Sequence, residues 1–302
     1  MVVPAPSHPR RIAYLGTPEM AVPPLRALVD AGFEVPLVIS RPDKRRGRRG
    51  EPTPSPVKAA AAELGIPVSD DVDDLLDTDV DLAVVVAFGR ILKPHVLDVV
   101  PMVNLHFSLL PRWRGAAPVE RAILAGDERT GVCVMVVEES LDTGGVYAQA
   151  EVVIRRASTA ADLRAQLVAV GSRLLVDTLG TGLGEPAPQE GEVTYAEKLS
   201  TDDLRLDWTR PVEHLDRVVR VGGAWTTVRG QRLKVHAATP SRVPGTGAPG
   251  ELHGDAVTTG SGSLRLVDVQ PEGKAWMPFA AWANGAHLAD GERLGDPVVV
   301  AD

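Results

Sequence analysis

The chain has 302 residues, of which 44% are hydrophobic and 24% charged, a composition typical of a globular protein with a substantial core. The net charge of −8 argues against a protein that coats nucleic acid through its overall field. The sequence has no run of about 18 apolar residues, and prolines interrupt the opening MVVPAPSHPRR, where a secretory peptide needs an unbroken apolar stretch. We therefore expect a cytoplasmic protein of one or two domains.

The cysteine and histidine content predicts neither a disulfide nor a metal centre. The single cysteine, Cys133, lies in the apolar run TGVCVMVV and is predicted to be a small buried residue. The seven histidines never occur at HxxxH or HExxH spacing, so the sequence predicts no zinc site.

The first part of the chain alternates between strand-like and helix-like segments. Strands are predicted at 11–15, 34–39, 81–87, 102–105 and 131–137, and helices at 21–32, 55–64, 118–124 and 159–179. Ser55 is expected to cap its helix, with Pro56 at the first helical position, where a proline forfeits no hydrogen bond. This alternation predicts an α/β domain with a doubly wound, mostly parallel sheet.

The character of the sequence changes near residue 180. The Gly- and Pro-rich stretch GTGLGEPAPQEGEV is typical of a linker, and a helix predicted at 211–221 precedes short segments with closely spaced turn signals. These segments predict a small all-β domain, for which a five-stranded barrel of the OB type suits the size. We expect a catalytic domain at 1–190, a linker at 191–207 and the C-terminal β domain at 208–302.

The stretch NLHFSLLPRWRGAAP combines the residue types of a reaction centre. Asn104 and His106 lie two apart at the end of a predicted strand, so their side chains share a face, and strand ends of α/β sheets border the ligand crevice. A carboxamide can donate a hydrogen bond to an oxyanion, and a neutral imidazole can accept a proton at physiological pH. An isolated Asn-x-His is also typical of a capped strand end without catalytic function.

A second turn supplies an acid. Asp142 lies in SLDTGG, directly after another apolar strand, and two strand ends of one sheet can bring its carboxylate within hydrogen-bonding reach of His106. There it would orient the imidazole and stabilise its cation. The neighbouring SLLP segment is suited to lining a pocket for a flat heterocycle, and Arg112 and Arg114 remain unassigned.

A basic run, RPDKRRGRRGE, stands out in an otherwise acidic chain. It opens an inserted loop, 41–54, between a strand and a helix, and connections of this length are often functional. Arginines suit phosphate backbones, although a solvated loop explains the charges equally well. The cations are Arg41, Lys44, Arg45, Arg46, Arg48 and Arg49.

Together these segments resemble the methionyl-tRNA formyltransferase family along nearly the whole chain. The segments that carry the resemblance are GTPEMAVPPL, RPDKRRGRRG with TPSPVKAAA, VVVAFGRILK, NLHFSLLPRWRGAAPVERAILAGDERTGVCVM, SLDTGGVY and VTYAEKLS. SLLPRWRGAAP is highly specific, whereas Asn-x-His and LDTG are shared with other enzymes that use 10-formyltetrahydrofolate.

The resemblance implies transfer of a formyl group from 10-formyltetrahydrofolate to the α-amino group of methionine on initiator tRNA. It implies catalytic roles for Asn104, His106 and Asp142. It also implies that the loop from Arg41 enters the acceptor-stem region of tRNA, and that the C-terminal OB-like domain binds tRNA nonspecifically. We expect a monomer without a metal. The folate contacts implied by the family match are Ser108, Leu109, Leu110, Pro111, Phe88, Arg90, Ile91 and Leu92.

Two positions depart from the family pattern. Ser140 stands where the family often has Gly before LDTG, and Gly222–Trp225 stands where it has an Asn-Pro-Trp-Pro segment. Three other functions stay open from the sequence: formyl transfer to a sugar-nucleotide amine, hydrolysis of the same donor, and noncatalytic RNA binding. The basic loop and the second domain favour tRNA as the acceptor.

Overall fold

Residue contacts in the computed structural model, which describes residues 3–45 and 51–295, divide the chain into two units. Each unit draws on several stretches of sequence. The first comprises Met1–Val119, Glu128–Ile154 and Asp162–Glu197, and the second comprises Glu120–Asp127, Arg155–Ala161 and Lys198–Asp302. Within the described ranges, we find no helix that is both long and apolar enough to span a bilayer.

The first unit is built on short strands, of which the central ones, such as β1 and β6, are apolar. In chain order these are β1 (Ile12–Gly16), β2 (Val38–Ile39), β3 (Lys44–Arg45), β4 (Pro52–Thr53), β5 (Val68–Ser69), β6 (Leu82–Val86), β7 (Met102–His106), β8 (Arg114–Gly115), β9 (Arg129–Val136), β10 (Val146–Val153) and β11 (Tyr195–Ala196). Seven of them form one sheet in the order β10-β9-β7-β6-β1-β2-β5. Pairing is parallel from β7 to β5 and antiparallel from β7 through β9 to β10. The prediction of an α/β unit with a mostly parallel sheet is confirmed.

The strand order reverses between β1 and β6, because the chain builds outwards from β1 to β5 and then returns to the other side. Such a switch point is where open α/β sheets bind ligands, beside the carboxyl ends of the strands. All residues of β1 and β6 are buried, as expected for parallel strands covered on both faces. The end of β7, next to β6, therefore borders the crevice in which chemistry is expected.

Helices follow the predicted alternation. They are α1 (Val22–Asp30), α2 (Pro56–Glu63), α3 (Pro94–Leu97), α4 (Pro118–Ala125) and α5 (Ala160–Thr181), with 3₁₀ turns at Glu19–Ala21 and Asp73–Leu75. Ser55 caps α2 as predicted: its hydroxyl oxygen accepts a hydrogen bond from the Lys58 amide at 3.1 Å, and Pro56 is the first helical residue. The cap satisfies a backbone donor that the first turn of a helix leaves unpaired.

Three strands of the seven-stranded sheet differ from the sequence prediction, and one of them, β5, was not predicted. The segment predicted at 34–39 pairs as a strand only at Val38–Ile39, since Pro36 has no amide hydrogen to give to a neighbouring strand. In contrast, β10 was not predicted. It lies at the sheet edge, and most of its residues are exposed or half-buried, so it lacks the continuous apolar run of the central strands.

The second unit contains an antiparallel sheet and two helices. Its elements are α6 (Val212–Val221), β12 (Trp225–Val228), β13 (Gln231–Ser241), β14 (Leu252–His253), β15 (Ala256–Thr258), β16 (Ser263–Pro271), β17 (Met277–Pro278) and α7 (Phe279–Ala286), with a 3₁₀ turn at Asp202–Leu204. The strand order is β12-β13-β16-β15-β14, and β17 pairs with β16. The all-β character predicted here is observed together with α7, which was not predicted. The OB-type barrel is not confirmed, because these strand ladders form an open path.

Helix α6 was predicted and turns one apolar face inward. Val212, Leu215, Val218 and Val219 are buried, at the spacing of one side of a helix. They join Leu233, Val235, Leu264 and other apolar residues of the sheet in one cluster. Gly222 ends the helix with φ 94°, a conformation that favours glycine.

Candidate active site

Asn104 and His106 occupy the carboxyl end of β7, as the sequence predicted. Because side chains alternate along a strand, the two share one face of the sheet. Asn104 pairs with Val85 of β6 on one side and Met135 of β9 on the other. Asn104 is half-buried, whereas only 5% of His106 is exposed. Asn104 is thus the more accessible of the two residues, and His106 is almost fully enclosed by the protein.

Both ring nitrogens of His106 face a partner. Nε2 lies 2.9 Å from the carbonyl oxygen of Trp113, and since a carbonyl only accepts, Nε2 carries the hydrogen of this contact. Nδ1 lies 3.6 Å from Oδ2 of Asp142. This distance is too long for a hydrogen bond but close enough for a strong charge interaction with a protonated ring. Asp142 is thus brought close to His106, although not within the hydrogen-bonding reach that the sequence predicted. The Trp113 carbonyl carries no signal in the sequence.

The carboxylate of Asp142 is fixed by a backbone donor. Its Oδ2 accepts a hydrogen bond of 2.7 Å from the amide of Gly115. The residue has φ 52°, in the left-handed region that aspartate tolerates better than most side chains. Gly115 has φ 117°, and a Cβ atom there would lie 3.0 Å from the Ala196 carbonyl oxygen, so the position requires glycine.

A short parallel pair, β8 with β11, holds the loop that supplies Gly115 and Trp113. The amide of Arg114 donates to the Thr194 carbonyl at 2.9 Å, and the Trp113 amide donates to the Thr194 hydroxyl at 2.9 Å. The amide of Ala116 donates to the Ala196 carbonyl at 2.8 Å. The segment VTYAEKLS therefore anchors the loop beside the reaction centre, a role that sequence reasoning did not assign to it.

The predicted folate contacts differ in their access to solvent. The side chain of Ser108 is buried, and its hydroxyl donates to the Arg112 carbonyl at 2.6 Å, within its own loop. Leu109 is half-buried. Ile91 is 91% exposed and Arg90 is exposed, with its guanidinium donating to the Asp70 carbonyl. The remaining predicted contacts, Leu110, Pro111, Phe88 and Leu92, are buried.

Cys133, opposite His106 in the sheet, is buried as predicted. Its thiol donates to the Ser108 carbonyl at 3.1 Å. Burial raises the pKa of this thiol from 9.0 to about 11, partly offset by a backbone hydrogen bond from Leu110. The Cys133 thiol beside His106 is therefore uncharged at physiological pH.

The basic loop begins as a hairpin. β3 pairs antiparallel with β4, Lys58 Nζ bonds Asp43 at 2.7 Å, and Arg45 is exposed. Arg41 donates instead to the Gly89 carbonyl, so its guanidinium is engaged within the protein. Lys44 is a residue of β3. The predicted residues Arg46, Arg48 and Arg49 lie outside the described residues.

The two unassigned arginines have distinct surroundings. The guanidinium of Arg112 lies 4.5 Å from the ring centroid of Trp113, in a cation–π contact. Arg114 donates to the side-chain oxygen of Gln189 from Nε at 3.1 Å and from Nη2 at 2.7 Å. The amide nitrogen of Gln189 donates in turn to the carbonyls of Asp142 and Gly144. Sequence reasoning missed Gln189, since a glutamine in a Gly- and Pro-rich stretch has no local signal.

A cavity of about 590 Å³ lies beside the turn that carries Asp142. Arg114, Thr143, Gly145 and Gln189 line it. Tyr147 also lines it, and burial raises the pKa of this phenol. Two of its polar residues, Arg114 and Gln189, belong to the hydrogen-bonded group that holds the Asp142 turn.

Family models and individual relatives agree on the class of protein. The model described as formyl transferase matches residues 10–179, and the model of the formyl transferase C-terminal domain matches residues 198–287. A methionyl-tRNA formyltransferase of Jannaschia sp. is 44% identical over 94% of this chain and 99% of its own. One of Streptomyces coelicolor is 43% identical over 95% of this chain and all of its own. The chain belongs to the methionyl-tRNA formyltransferase family.

Solved structures share the fold of this formyltransferase chain at low sequence identity. HypX from Aquifex aeolicus, solved in complex with tetrahydrofolic acid, is 18% identical with a TM-score of 0.66, covering 98% of this chain and 50% of its own. An N-formyltransferase from Helicobacter canadensis, solved with folinic acid and dTDP-3-aminofucose, is 17% identical with a TM-score of 0.65, covering 84% of this chain and 98% of its own. These likenesses show the fold alone.

Residues at both departures from the family pattern form hydrogen bonds within their own unit. The carbonyl of Ser140 accepts a hydrogen bond from the Thr143 hydroxyl at 3.2 Å, which closes the turn before Gly144. In the second unit, Trp225 is buried and its indole donates to the Thr201 carbonyl at 2.8 Å. The guanidinium of Arg232 lies 4.2 Å from its ring centroid.

Proposed function

We propose that this chain transfers the formyl group of 10-formyltetrahydrofolate to the α-amino group of methionyl initiator tRNA. The observation that carries the proposal is the convergence of Asn104, His106 and Asp142 at the end of β7 in a member of this family. An amide, an imidazole and a carboxylate at one strand end match the needs of acyl transfer to an amine. Those needs are an oxyanion donor, a cation to stabilise the oxyanion and a group that moves a proton.

The donor supplies a formyl carbon bonded to nitrogen, and the acceptor supplies an amine that attacks this carbon. The Asn104 amide donates to the oxyanion that then forms, because amide hydrogens stabilise such charge without titrating. The Nε2 hydrogen of His106 is donated to Trp113, so we assign to a protonated His106 a stabilising charge rather than a direct hydrogen bond. Asp142, with a water, takes the proton of the attacking amine and returns it to the folate nitrogen as the carbon–nitrogen bond breaks.

The residues proposed to hold the folate fit that role in two ways. Ile91 and Leu109 have accessible apolar surface that can cover a flat heterocycle. Ser108, whose hydroxyl is bonded within its loop, instead holds the loop in shape. The buried residues of the set, such as Phe88 and Leu110, support the wall from behind.

We assign recognition of tRNA to two surfaces. In the first unit, the exposed Arg45 and the rest of the basic loop carry charge suited to phosphates. In the second unit, we propose an OB-like barrel that binds tRNA nonspecifically. Leu294 donates a hydrogen bond to Gly250, just before β14, and Gly295 donates one to Thr227 of β12. One segment thus contacts both ends of the open strand path, which supports a barrel-like arrangement. We further propose a cytoplasmic monomer with a catalytic domain at 1–190, a linker at 191–207 and the second domain at 208–302.

The test is formylation of three acceptors with 10-formyltetrahydrofolate as donor. We expect formyl-methionine on methionyl initiator tRNA, and much slower reaction of methionyl elongator tRNA and of an amino-sugar nucleotide. Preferential formylation of the sugar nucleotide, or release of formate without an acceptor, would assign another function to the same chemistry. Binding of tRNA without any formyl transfer would leave an RNA-binding module.

A further inference from the structure

Gln189 uses its entire side-chain amide to join two segments of the first unit. Its oxygen accepts hydrogen bonds of 3.1 and 2.7 Å from Arg114. Its nitrogen donates two hydrogen bonds of 2.8 Å, one to the carbonyl of Asp142 and one to that of Gly144. The residue lies between the segments matched by the two family models, 10–179 and 198–287.

These contacts brace a turn that needs support. Asp142 has a left-handed backbone, which a non-glycine residue keeps only when its surroundings hold it there. Ala187 binds the end of the same turn through an antiparallel bridge to Val146, with hydrogen bonds of 2.7 and 2.9 Å. This bridge sets the register at which Gln189, two residues further on, reaches the carbonyls of Asp142 and Gly144.

The brace connects the two partners of His106. One nitrogen of His106 contacts the Trp113 carbonyl, and Arg114 is the next residue along the chain. The other nitrogen faces Asp142, whose own carbonyl accepts from Gln189. Arg114 and Gln189 therefore link the loop of Trp113 to the turn of Asp142. This link fixes the distance between the Trp113 carbonyl and the Asp142 carboxylate, and thus the position of the imidazole.

We propose that Gln189 is a positioning residue for formyl transfer, which acts by holding Asp142 at its place against His106. This inference rests on the proposed function. Gln189 contacts backbone carbonyls and Arg114 rather than the reacting carboxylate, so its loss should slow the chemical step without removing a binding contact. The segment at 186–189 is then part of the catalytic machinery and not merely a linker.

The first test replaces Gln189 by alanine and, separately, by glutamate. Glutamate keeps an acceptor for Arg114 but places oxygens against the two carbonyls, so both variants should lose the brace. We expect kcat for methionyl-tRNA to fall about tenfold or more, since misplacement of a catalytic group by about 1 Å can cost about 100-fold. The KM values for both substrates should stay within about twofold. The matched control is Gln166→Ala, an exposed glutamine on α5 of the same unit, which should keep the wild-type kcat.

The second test asks whether Gln189 acts through Asp142. In an Asp142→Ala background, Gln189→Ala should leave the residual rate unchanged, whereas general destabilisation would lower it further. In hydrogen exchange, the amides of residues 142–145 should exchange faster in Gln189→Ala than in Gln166→Ala. That readout needs no substrate and so tests the brace whichever acceptor the enzyme uses.

The outcomes separate the two proposals. If the wild type and Gln166→Ala formylate no methionyl-tRNA, the proposed function fails while hydrogen exchange still tests the brace. If the wild type is active and Gln189→Ala retains its kcat, or if exchange at 142–145 is unchanged, the positioning role is overturned. An additive loss in the Asp142→Ala background also overturns it.

Discussion

The reaction centre and the basic hairpin differ in how deeply they are buried and in the contacts that hold them. At the centre, His106 is buried between the Trp113 carbonyl and the Asp142 carboxylate. The amide of Gly115 and the side chain of Gln189 link Asp142 to the loop that carries Trp113. At the base of the basic hairpin, the hydroxyls of Ser40 and Ser55 lie 2.5 Å apart, and Arg41 donates to the Gly89 carbonyl. Arg45, a residue of β3 in this hairpin, is exposed.

This difference suits the two regions to different tasks, chemistry at the centre and binding at the hairpin. Chemistry needs fixed distances, and at the centre they are set by contacts between residues far apart in the sequence. The proposed recognition of a phosphate backbone needs charge more than fixed geometry, and the exposed Arg45 is suited to supply it. Changes at the centre should therefore alter the rate of the chemical step, and changes in the hairpin should alter binding and its dependence on salt.

The largest effect is expected from Asn104→Ala. Loss of an oxyanion donor typically lowers kcat by about 100- to 1,000-fold, and Asn104 is more accessible than His106 at the end of β7. Steady-state formylation of methionyl-tRNA measures the loss, and circular dichroism checks that the variant is folded. A variant with near-normal kcat would remove Asn104 from the mechanism.

A second prediction concerns the buried Cys133, which lies opposite His106 in the sheet. Burial raises the pKa of the Cys133 thiol from 9.0 to about 11, so the folded state holds this proton more tightly than the unfolded state. The stability due to this group is thus fully present below pH 9 and lost as pH rises towards 11, on the order of 2 kcal/mol. The free energy of unfolding in urea, compared for wild type and Cys133→Ala across this range, measures it. An equal decline in both proteins would show that the thiol is not responsible.

At the base of the hairpin, Ser55→Ala should cost about 1 kcal/mol of stability. The substitution removes the cap of α2 and the contact with the Ser40 hydroxyl. Urea unfolding measures the change, with Ser55→Asp as a variant that retains a capping acceptor. If alanine and aspartate destabilise equally, the cap is not what anchors the hairpin.

The smallest effect is expected from Arg45→Ala in the exposed basic hairpin. Removing one phosphate contact should weaken tRNA binding modestly and reduce the slope of log Kd against log salt by about 1. Titrations at several salt concentrations measure the slope, and Arg26→Ala, an arginine of α1 outside the hairpin, serves as the control. Identical slopes for wild type and Arg45→Ala would place the tRNA elsewhere.

Local patterns in the sequence predict much of the fold and the core of the site. The apolar runs of β1, β6 and β7, and the cap at Ser55, follow from periodicity and from side-chain chemistry that act over a few residues. The shared face of Asn104 and His106 follows from the two-residue repeat of a strand. These features depend on neighbours in sequence, so they can be predicted without knowledge of the tertiary structure.

The remaining features depend on contacts between distant segments. Gln189 acquires its role only because the bridge between Ala187 and Val146 brings it to the turn of Asp142. The amide of Gly115 is likewise a backbone group that no side-chain pattern marks. The strand β10 was missed because an edge strand with half-buried residues lacks a continuous apolar run.

Single-turnover formylation, combined with tRNA-binding titrations, tests the division between chemistry and recognition most directly. The account predicts that Asp142→Asn slows the single-turnover rate by about 100-fold or more, in the range seen when catalytic groups are removed, while its tRNA affinity stays close to that of the wild type. It predicts the reverse for Arg45→Ala: weaker, less salt-dependent binding with an unchanged rate at saturating tRNA. A wild-type single-turnover rate in Asp142→Asn, or a slowed chemical step in Arg45→Ala at saturation, would contradict it.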